Sequence, residues 1–219
     1  MESPMSSKVI ELPSLEALGT RLAAMDTVDP ASAKGRLLQT AAHLFHVRGF
    51  DRTTVRDLAS AVGIQSGSIF HHFKNKDEIL EAVMHDTIVF NTRLVIDALR
   101  ASASLQDQLL ALIRCELESI NGVTGEAMNV LVFEWRNLPE DKQSRILKLR
   151  DIYESLWLGV ISEACREGLL RGEPFVIRRL LTGALSWTST WYRKDGGLSV
   201  AQLAEQVLQM VICQPVPRA

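Results

Sequence analysis

One stretch of the sequence decides the fold: residues 54–80 read TVRDLASAVGIQSGSIFHHFKNKDEIL. It opens with Thr54, and Asp57 follows three residues later. This is the spacing of a capping box, in which each side chain binds the backbone N–H of the other residue. The helix is expected to stop at Gly63, because glycine adopts the positive φ of a sharp turn without a steric penalty. The first half of the stretch therefore predicts a short helix over residues 54–61.

The second half of the stretch predicts another short helix after a brief turn. Ser66 is expected to cap this helix, which would run to Phe73. Two short helices joined by a turn of about four residues that contains glycine form a helix-turn-helix. In that motif one helix enters the major groove of DNA, which is about 12 Å wide, while the other crosses the backbone. The pattern indicates a DNA-binding module.

The charge of the chain is concentrated in the same region. Residues 33–76 hold seven basic and two acidic side chains, a net charge of +5, whereas residues 1–32 carry −3 and residues 77–219 carry −4. A clustered positive face binds phosphates by releasing counterions, although an ordinary solvated face has the same composition. Charge alone leaves both interpretations open.

The quoted stretch resembles the DNA-binding domain of the TetR family of transcriptional regulators. The segments that carry the resemblance are TVRDLA at 54–59, VGI at 62–64, GSIFHHF at 67–73 and KDEIL at 76–80, with every spacing intact. The resemblance implies an all-α protein, in which a three-helix DNA-binding domain with a helix-turn-helix precedes a helical bundle for ligand binding and dimerisation.

The expected domain boundaries follow from this resemblance. Residues 1–32 would be an N-terminal extension, flexible around Met1 to Ser7, with one short amphipathic helix. The DNA-binding domain would span 33–80, and the ligand-binding and dimerisation domain would span 81–219. The apolar residues that could form the helix of the extension are Leu12, Leu15, Leu18, Leu22 and Met25.

Helical periodicity runs through the rest of the chain, and no alternating strand pattern stands out. Glycines and prolines divide the periodic sequence into segments, and Ser199 with Gln202 has the spacing of a second capping box. The helices predicted after residue 33 are 34–48, 54–61, 66–72, 76–101, 104–120, 125–137, 140–167, 174–193 and 199–213.

The family resemblance also assigns DNA contacts residue by residue. It places the second helix of the motif in the groove, the helix before it near the backbone, and the start of the next helix at a phosphate. Phe70 departs from the pattern, because many members have a tyrosine there and phenylalanine has no hydroxyl to donate to a phosphate. The residues placed at DNA are Thr54, Arg56, Gly67, Ser68, Phe70, His71, His72 and Lys76.

The histidines have a competing interpretation as metal ligands. His71 and His72 are adjacent, so they point in different directions on a helix and cannot bind one metal ion as an i, i+4 pair. His43 and His46 have suitable i, i+3 spacing, but the sequence supplies no evident third ligand. We expect no metal site and no cofactor.

Large aromatic side chains are concentrated after residue 76, including all four tryptophans. Each one could simply fill a bundle core, but ligand sites between facing helices are built from the same residue types. The candidate ligand-binding residues are Phe90, Met128, Phe133, Trp135, Arg136, Trp157, Trp187 and Trp191.

Two classes of effector stay open, of which we favour a hydrophobic or acyl-CoA molecule. Segments 133–136, 149–157 and 187–193 resemble a TetR subgroup that controls fatty-acid and sterol catabolism and senses acyl-CoA thioesters. CoA phosphates need cations, and the candidates are Arg136, Arg178, Arg179 and Arg193. A lipophilic cation would instead need aromatic faces and a carboxylate, and the candidates are Glu116, Glu134 and Glu154.

The last two predicted helices, 174–193 and 199–213, are the expected dimer interface. A dimer would present two recognition helices about 34–36 Å apart, one turn of DNA, and would read a pseudo-palindromic operator. The sequence thus predicts a homodimeric repressor that its effector releases from DNA. A DNA-binding protein without a ligand is the alternative.

Other classes of protein fit the sequence poorly. The three cysteines are widely spaced and form no CxxC motif, which excludes a disulfide scaffold. No nucleophile–base constellation, HExxH motif or phosphate-binding glycine loop indicates an enzyme. No apolar stretch reaches the roughly 20 residues of a membrane-spanning helix, and no signal peptide is evident. We therefore expect a soluble cytoplasmic protein.

Overall fold

The computed structural model describes residues 15–213, and all the regular structure in that range is helical. Two short 3-10 turns, at Trp135–Asn137 and Thr188–Thr190, accompany the α-helices. The α-helices are α1 (Leu15–Ala23), α2 (Ala33–Arg48), α3 (Val55–Val62), α4 (Ser66–Ile69), α5 (Lys76–Ala101), α6 (Leu105–Asn121), α7 (Gly125–Phe133), α8 (Glu140–Arg166), α9 (Pro174–Trp187) and α10 (Val200–Val211).

All nine helices predicted after residue 33 are present, and the predicted helix of the extension is α1. Both predicted capping boxes form, at Thr54 with Asp57 and at Ser199 with Gln202. The prediction of flexibility around Met1 to Ser7, and that of Leu12 in the helix, lie outside the described residues.

The prediction for α4 was wrong in two respects. Gln65, not Ser66, is its N-cap residue, and no side chain caps it. The helix ends at Ile69 instead of Phe73, and the chain continues as a turn in which the N–H of His72 donates to the carbonyl of Ile69 at 2.9 Å. The turn is needed because Asn75 is already extended, with φ −155°, to cap α5.

Two longer predicted helices end early for local reasons. Helix α7 ends at Phe133 and the chain continues as the 3-10 turn Trp135–Asn137, before Leu138 takes the extended conformation that a residue preceding proline favours. Helix α9 stops at Trp187, where the hydroxyls of three successive residues donate to carbonyls three residues earlier. Such hydroxyl bonds compete with the α-helical pattern.

Helix α5 is the central element of the fold. Its 26 residues span about 39 Å at 1.5 Å per residue, and it packs against α1, α2, α6, α7 and α8. It begins beside the helix-turn-helix and continues into the C-terminal bundle, so any movement of α5 reaches both. Within the described residues, no helix is both long and apolar enough to cross a membrane.

Helix α1 is fastened along α5 by apolar and polar contacts. Leu18 and Leu22 are buried in the core. The guanidinium of Arg93 on α5 donates to the carbonyls of Leu22 at 2.6 Å and Met25 at 2.8 Å, which satisfies backbone groups at the end of α1. The N-terminal helix is therefore part of the folded core.

Replacing Leu22 with alanine tests this attachment. We expect Leu22→Ala to lower the free energy of unfolding by about 2–5 kcal/mol, because it leaves a cavity beneath α1. The neighbouring exposed residue gives the control: Arg21→Ala should change it by less than about 0.5 kcal/mol. Urea unfolding of both variants measures the difference. A loss of stability in Leu22→Ala as small as that in Arg21→Ala would show that α1 contributes nothing to the core.

Candidate DNA-binding surface and ligand cavity

The first helix of the motif is fixed by its capping box. The Thr54 hydroxyl accepts from the N–H of Asp57 at 3.2 Å, and the N–H of Thr54 donates to the Asp57 carboxylate at 2.8 Å. The same hydroxyl donates to Asp57 at 2.6 Å, and these hydrogen bonds from Thr54 lower the pKa of Asp57. The start of α3 is thus held in one orientation.

A glycine turn sets the angle between α3 and α4. Gly63 has φ 78° and ψ 32°, the left-handed conformation that glycine adopts freely. The N–H of the next residue, Ile64, donates to the carbonyl of Ala59 at 2.9 Å. Below the turn, Ile69 and Phe73 are buried, so the apolar side of α4 faces the core and its other side faces outward.

Seven of the eight predicted DNA contacts are exposed to solvent. Of the eight, only Lys76 is half-buried. The exposed residues are Thr54, Arg56, Gly67, Ser68, Phe70, His71 and His72. Their assignment to DNA stays a prediction.

Two of the predicted contacts already have partners within the chain. The Thr54 hydroxyl proton is bound by Asp57. The Lys76 ammonium donates to the carbonyl of Phe50 at 2.7 Å and lies 4.0 Å from the centroid of the Phe50 ring. An ammonium has three donors, so Lys76 keeps protons for a phosphate, whereas Thr54 would have to give up its cap.

Gly67 is distinctive among these residues, because nothing in the chain requires a glycine there. Its φ is not positive, and a Cβ atom added to it would meet no atom within 4 Å. The open space above Gly67 faces outward. A closely approaching partner, such as a DNA backbone, would explain the missing side chain.

A second feature is a cavity of about 170 Å³ between α5, α6, α7, α8 and α9. Helix α7 supplies one wall with Met128, Leu131, Val132 and Phe133. Most of the surface of the cavity wall is apolar, as in small-molecule sites, although polar and charged side chains outnumber apolar ones. The polar and charged lining residues are Asn91, Glu116, Asn129, Arg150, Tyr153, Glu154, Arg178, Thr182, Ser186 and Ser189.

The cavity includes only two of the eight predicted ligand-binding residues, Met128 and Phe133. Trp157 is fully buried behind Arg178, whose guanidinium carbon lies 4.2 Å from the centroid of the indole ring. Trp135 stacks near Arg150 with a separation of 5.9 Å. The other four, Phe90, Arg136, Trp187 and Trp191, are exposed outside the lining.

Charged residues that the sequence offered for different effectors come together at the cavity. Arg178 donates to the Glu154 carboxylate at 2.8 and 3.2 Å and lies 3.7 Å from Glu116. The Tyr153 hydroxyl donates to Glu116 at 2.5 Å. Burial and the charge of Glu116 raise the pKa of Tyr153 well above its usual value of 10, so the hydroxyl stays protonated.

Arg178 stays charged in this cluster. Burial alone would lower its pKa, but Glu116 and Glu154 raise it above the usual value. Arg178 was one of the predicted cations for CoA phosphates, and Glu116 and Glu154 were the predicted counter-charges for a cation. The structure instead pairs them with each other.

Metal ligands do not assemble near the candidate histidines. His43 Nδ1 and the Glu126 carboxylate lie at a hydrogen-bond distance of 2.9 Å, which joins α2 to α7. Across the described part of the chain, no group of three His, Cys, Asp or Glu side chains could hold a metal ion.

Comparison with protein families finds a match for each of the two halves of the chain. Residues 37–83 match the model described as bacterial regulatory proteins, tetR family. Residues 102–214 match the tetracyclin repressor-like C-terminal domain. Helix α1 precedes both matches.

Individual relatives agree with the family matches. The HTH-type transcriptional repressor KstR2 of Rhodococcus jostii is 32% identical, over 85% of this chain and 93% of the relative. A crystal structure of the superantigen PfiT is 60% identical with a TM-score of 0.72, covering 84% of this chain and 98% of that one. A structure of AibR with isovaleryl coenzyme A and operator DNA has a TM-score of 0.74 at 23% identity, covering 82% and 98%, and shares the fold.

Replacing Gly67 with alanine separates DNA contact from folding. We expect Gly67→Ala to weaken DNA binding by about tenfold, or 1.4 kcal/mol, because the new methyl group occupies the approach path. It should leave the free energy of unfolding unchanged or raise it by up to about 1 kcal/mol. Fluorescence anisotropy with duplex DNA and urea unfolding measure the two effects.

A second glycine of the motif provides the contrast. Gly63→Ala should cost about 1–2 kcal/mol of stability, because the left-handed conformation strains an alanine. If Gly67→Ala binds DNA with unchanged affinity, Gly67 is not part of the interface.

The salt dependence of DNA binding tests Lys76. Lys76→Ala should make the slope of log affinity against log salt shallower by about one unit, because one phosphate contact is lost. Lys148→Ala, an exposed lysine on α8, should leave the slope unchanged. A Lys76→Ala slope equal to that of the unaltered protein would show that the ammonium serves only Phe50.

Proposed function

The chain belongs to the TetR family of bacterial regulatory proteins, and from that premise we propose that it is a homodimeric transcriptional repressor that a small hydrophobic or acyl-type effector releases from its operator. The observation that carries this proposal is the placement of α7, which lines the cavity and packs against α2 of the DNA-binding region. One helix therefore contacts both the effector site and the helix bundle that carries the recognition helix.

The DNA side of the proposal is supported by exposure and charge. The outward side of the motif carries Arg56, Ser68 and His71, and the surrounding segment 33–76 has a net charge of +5. A positive surface supplies general affinity by counterion release, and side chains at base edges supply the sequence preference. We propose 33–80 as the DNA-binding domain and 81–219 as the domain for the effector and the dimer.

The effector side is supported by the cavity. Its apolar wall suits a hydrophobic molecule, and the neighbouring fold of AibR holds isovaleryl coenzyme A together with operator DNA. An effector that fits the cavity in only one conformation of the protein shifts the equilibrium by its difference in affinity for the two conformations.

Contacts between α7 and α2 supply the route from the cavity to DNA. Met128 and Phe133 of α7 line the cavity, and Glu126 at the start of the same helix pairs with His43 of α2 at 2.9 Å. At the C-terminal end of α2, a Cβ atom added to Gly49 would lie 3.7 Å from the Glu134 carboxylate. An effector that displaces α7 therefore displaces α2, and with it the recognition helix.

The dimer is supported by apolar surface on the last two helices. Val176, Leu180 and Trp187 on α9 and Met210 on α10 are large, apolar and exposed in the single chain. Such residues mark protein interfaces when they are grouped together. We propose that α9 and α10 of two chains form the interface, that the dimer acts in the cytoplasm, and that it is a regulator rather than an enzyme.

Selection of DNA from a random duplex pool tests the proposed function. The full-length protein should enrich a pseudo-palindrome whose half-sites are about one helical turn apart. His71→Ala should reduce affinity for the selected site by roughly 1–3 kcal/mol, the value of one lost base contact. Arg166→Ala, at the exposed end of α8, serves as the control.

The result that would contradict the proposal is equally specific. Failure to enrich any sequence, at low salt and with folded protein, would exclude an operator-binding repressor.

A second candidate function comes from the 60% identity to the superantigen PfiT. We propose superantigen activity as this second candidate. The folded protein should then stimulate T cells in the presence of antigen-presenting cells. His71→Ala should not affect that activity, because it alters only the predicted DNA surface. Proliferation no greater than with heat-denatured protein would exclude this candidate.

A further inference from the structure

Arg178 has one hydrogen-bond donor that the chain does not use. Only 1% of the residue is exposed, and Arg178 is one of the residues that line the cavity. Nε and Nη2 donate to Glu154, and Nη2 also lies near Glu116. Among the described residues, Nη1 has no hydrogen-bond partner.

A buried charged donor without an acceptor is unfavourable. Most buried polar groups in folded proteins have a partner, and an unsatisfied one loses its hydration without compensation. Arg178 is held against Trp157 and Glu154, so Nη1 cannot move out to solvent without breaking those contacts. An acceptor oxygen brought by a molecule in the cavity would complete the site.

The charges around Arg178 select the type of acceptor. Both carboxylates are already bound, Glu116 by Tyr153 and Glu154 by Arg178 and Arg179, so neither is free to receive a cation. The four charged lining residues, Glu116, Glu154, Arg150 and Arg178, balance to zero, so a ligand carboxylate at Nη1 would leave an uncompensated negative charge close to Glu116, which disfavours it. A neutral carbonyl oxygen accepts the hydrogen bond without adding charge.

The size of the cavity limits the rest of the ligand. Its volume of about 170 Å³ is close to that of an engineered cavity of about 150 Å³ that holds benzene. A body of about six heavy atoms therefore fits inside. A larger group attached to it would have to extend past the lining residues that are also exposed, which are Val132, Phe133, Ser186 and Ser189.

We infer that Arg178 recognises the effector through Nη1, and that the effector carries a neutral carbonyl oxygen, as in a thioester, on a short apolar body enclosed by α7. This inference rests on the proposed function, because it names the chemistry that the effector cavity accepts. It also decides between the two effector classes that the sequence left open, against the lipophilic cation.

The test compares two probes that differ only in the carbonyl group. Isovaleryl coenzyme A has the thioester carbonyl, whereas S-(3-methylbutyl) coenzyme A is the thioether with a methylene in its place. Calorimetric titration into the full-length protein should show the thioester binding roughly tenfold to a hundredfold more tightly, because a hydrogen bond to a charged donor is lost in the thioether.

A pair of variants assigns that preference to Arg178. Arg178→Lys keeps the positive charge between Glu116 and Glu154 but lacks the second terminal nitrogen, so the two probes should bind within about threefold of each other. Arg179→Lys is the matched control, because Arg179 also contacts Glu154 but does not line the cavity. It should keep the full preference. The comparison of probes on the unaltered protein stands even if Arg178→Lys does not fold.

Several outcomes would overturn the inference. Equal binding of thioester and thioether would mean that Nη1 holds a water molecule or nothing. If isovalerate binds more tightly than isovaleryl coenzyme A, the site prefers a carboxylate to a neutral carbonyl. If palmitoyl coenzyme A binds more tightly than isovaleryl coenzyme A, the size limit is wrong. If tetraphenylphosphonium displaces the thioester, the cavity accepts a lipophilic cation.

Failure of this inference can be distinguished from failure of the proposed function. If no coenzyme A compound binds while the protein still binds its selected DNA, the inference is wrong and the repressor stands. If the protein selects no DNA, the proposed function fails whatever the probes do.

Discussion

The structure depends on one constraint: α7, a helix of nine residues, has to fit two neighbours at once. Met128 and Phe133 of α7 line the proposed effector cavity, and the helix also packs on α2. Well-packed interiors do not deform continuously, so a helix shared by two contacts changes both when it moves. Pro139 limits the segment after α7, because the residue before it, Leu138, is extended and no helix can continue through it.

The remaining elements connect the DNA-binding region to the helical bundle. Helix α5 runs from the helix-turn-helix into the bundle, and α1 is fastened along it by Arg93. The DNA-binding region is therefore connected to the bundle in three places, through α5, through the segment between α1 and α2, and through α7. Of these three connections, α7 and part of α5 line the cavity. These two helices are therefore where we propose that an effector acts.

The sequence predicts what local chemistry determines and misses what depends on facing helices. The capping box of Thr54 and Asp57 involves residues three positions apart, so its spacing is visible in the sequence. The aromatic residues gave a poor guide to the cavity, because periodicity does not reveal which neighbour a helix face meets. Trp157 is buried in the core and does not line the cavity. The sequence identifies Arg178 as a cation, but it does not reveal that Arg178 pairs with two carboxylates on other helices.

The most direct test of the account measures effector affinity with and without DNA. Coupling between two sites is reciprocal, so an effector that weakens operator binding must itself bind the operator complex more weakly by the same factor. Titration of isovaleryl coenzyme A into the free dimer and into the dimer on its selected operator should give dissociation constants that differ by about 5- to 150-fold. Equal constants in the two titrations would contradict the claim that the cavity and the DNA surface communicate.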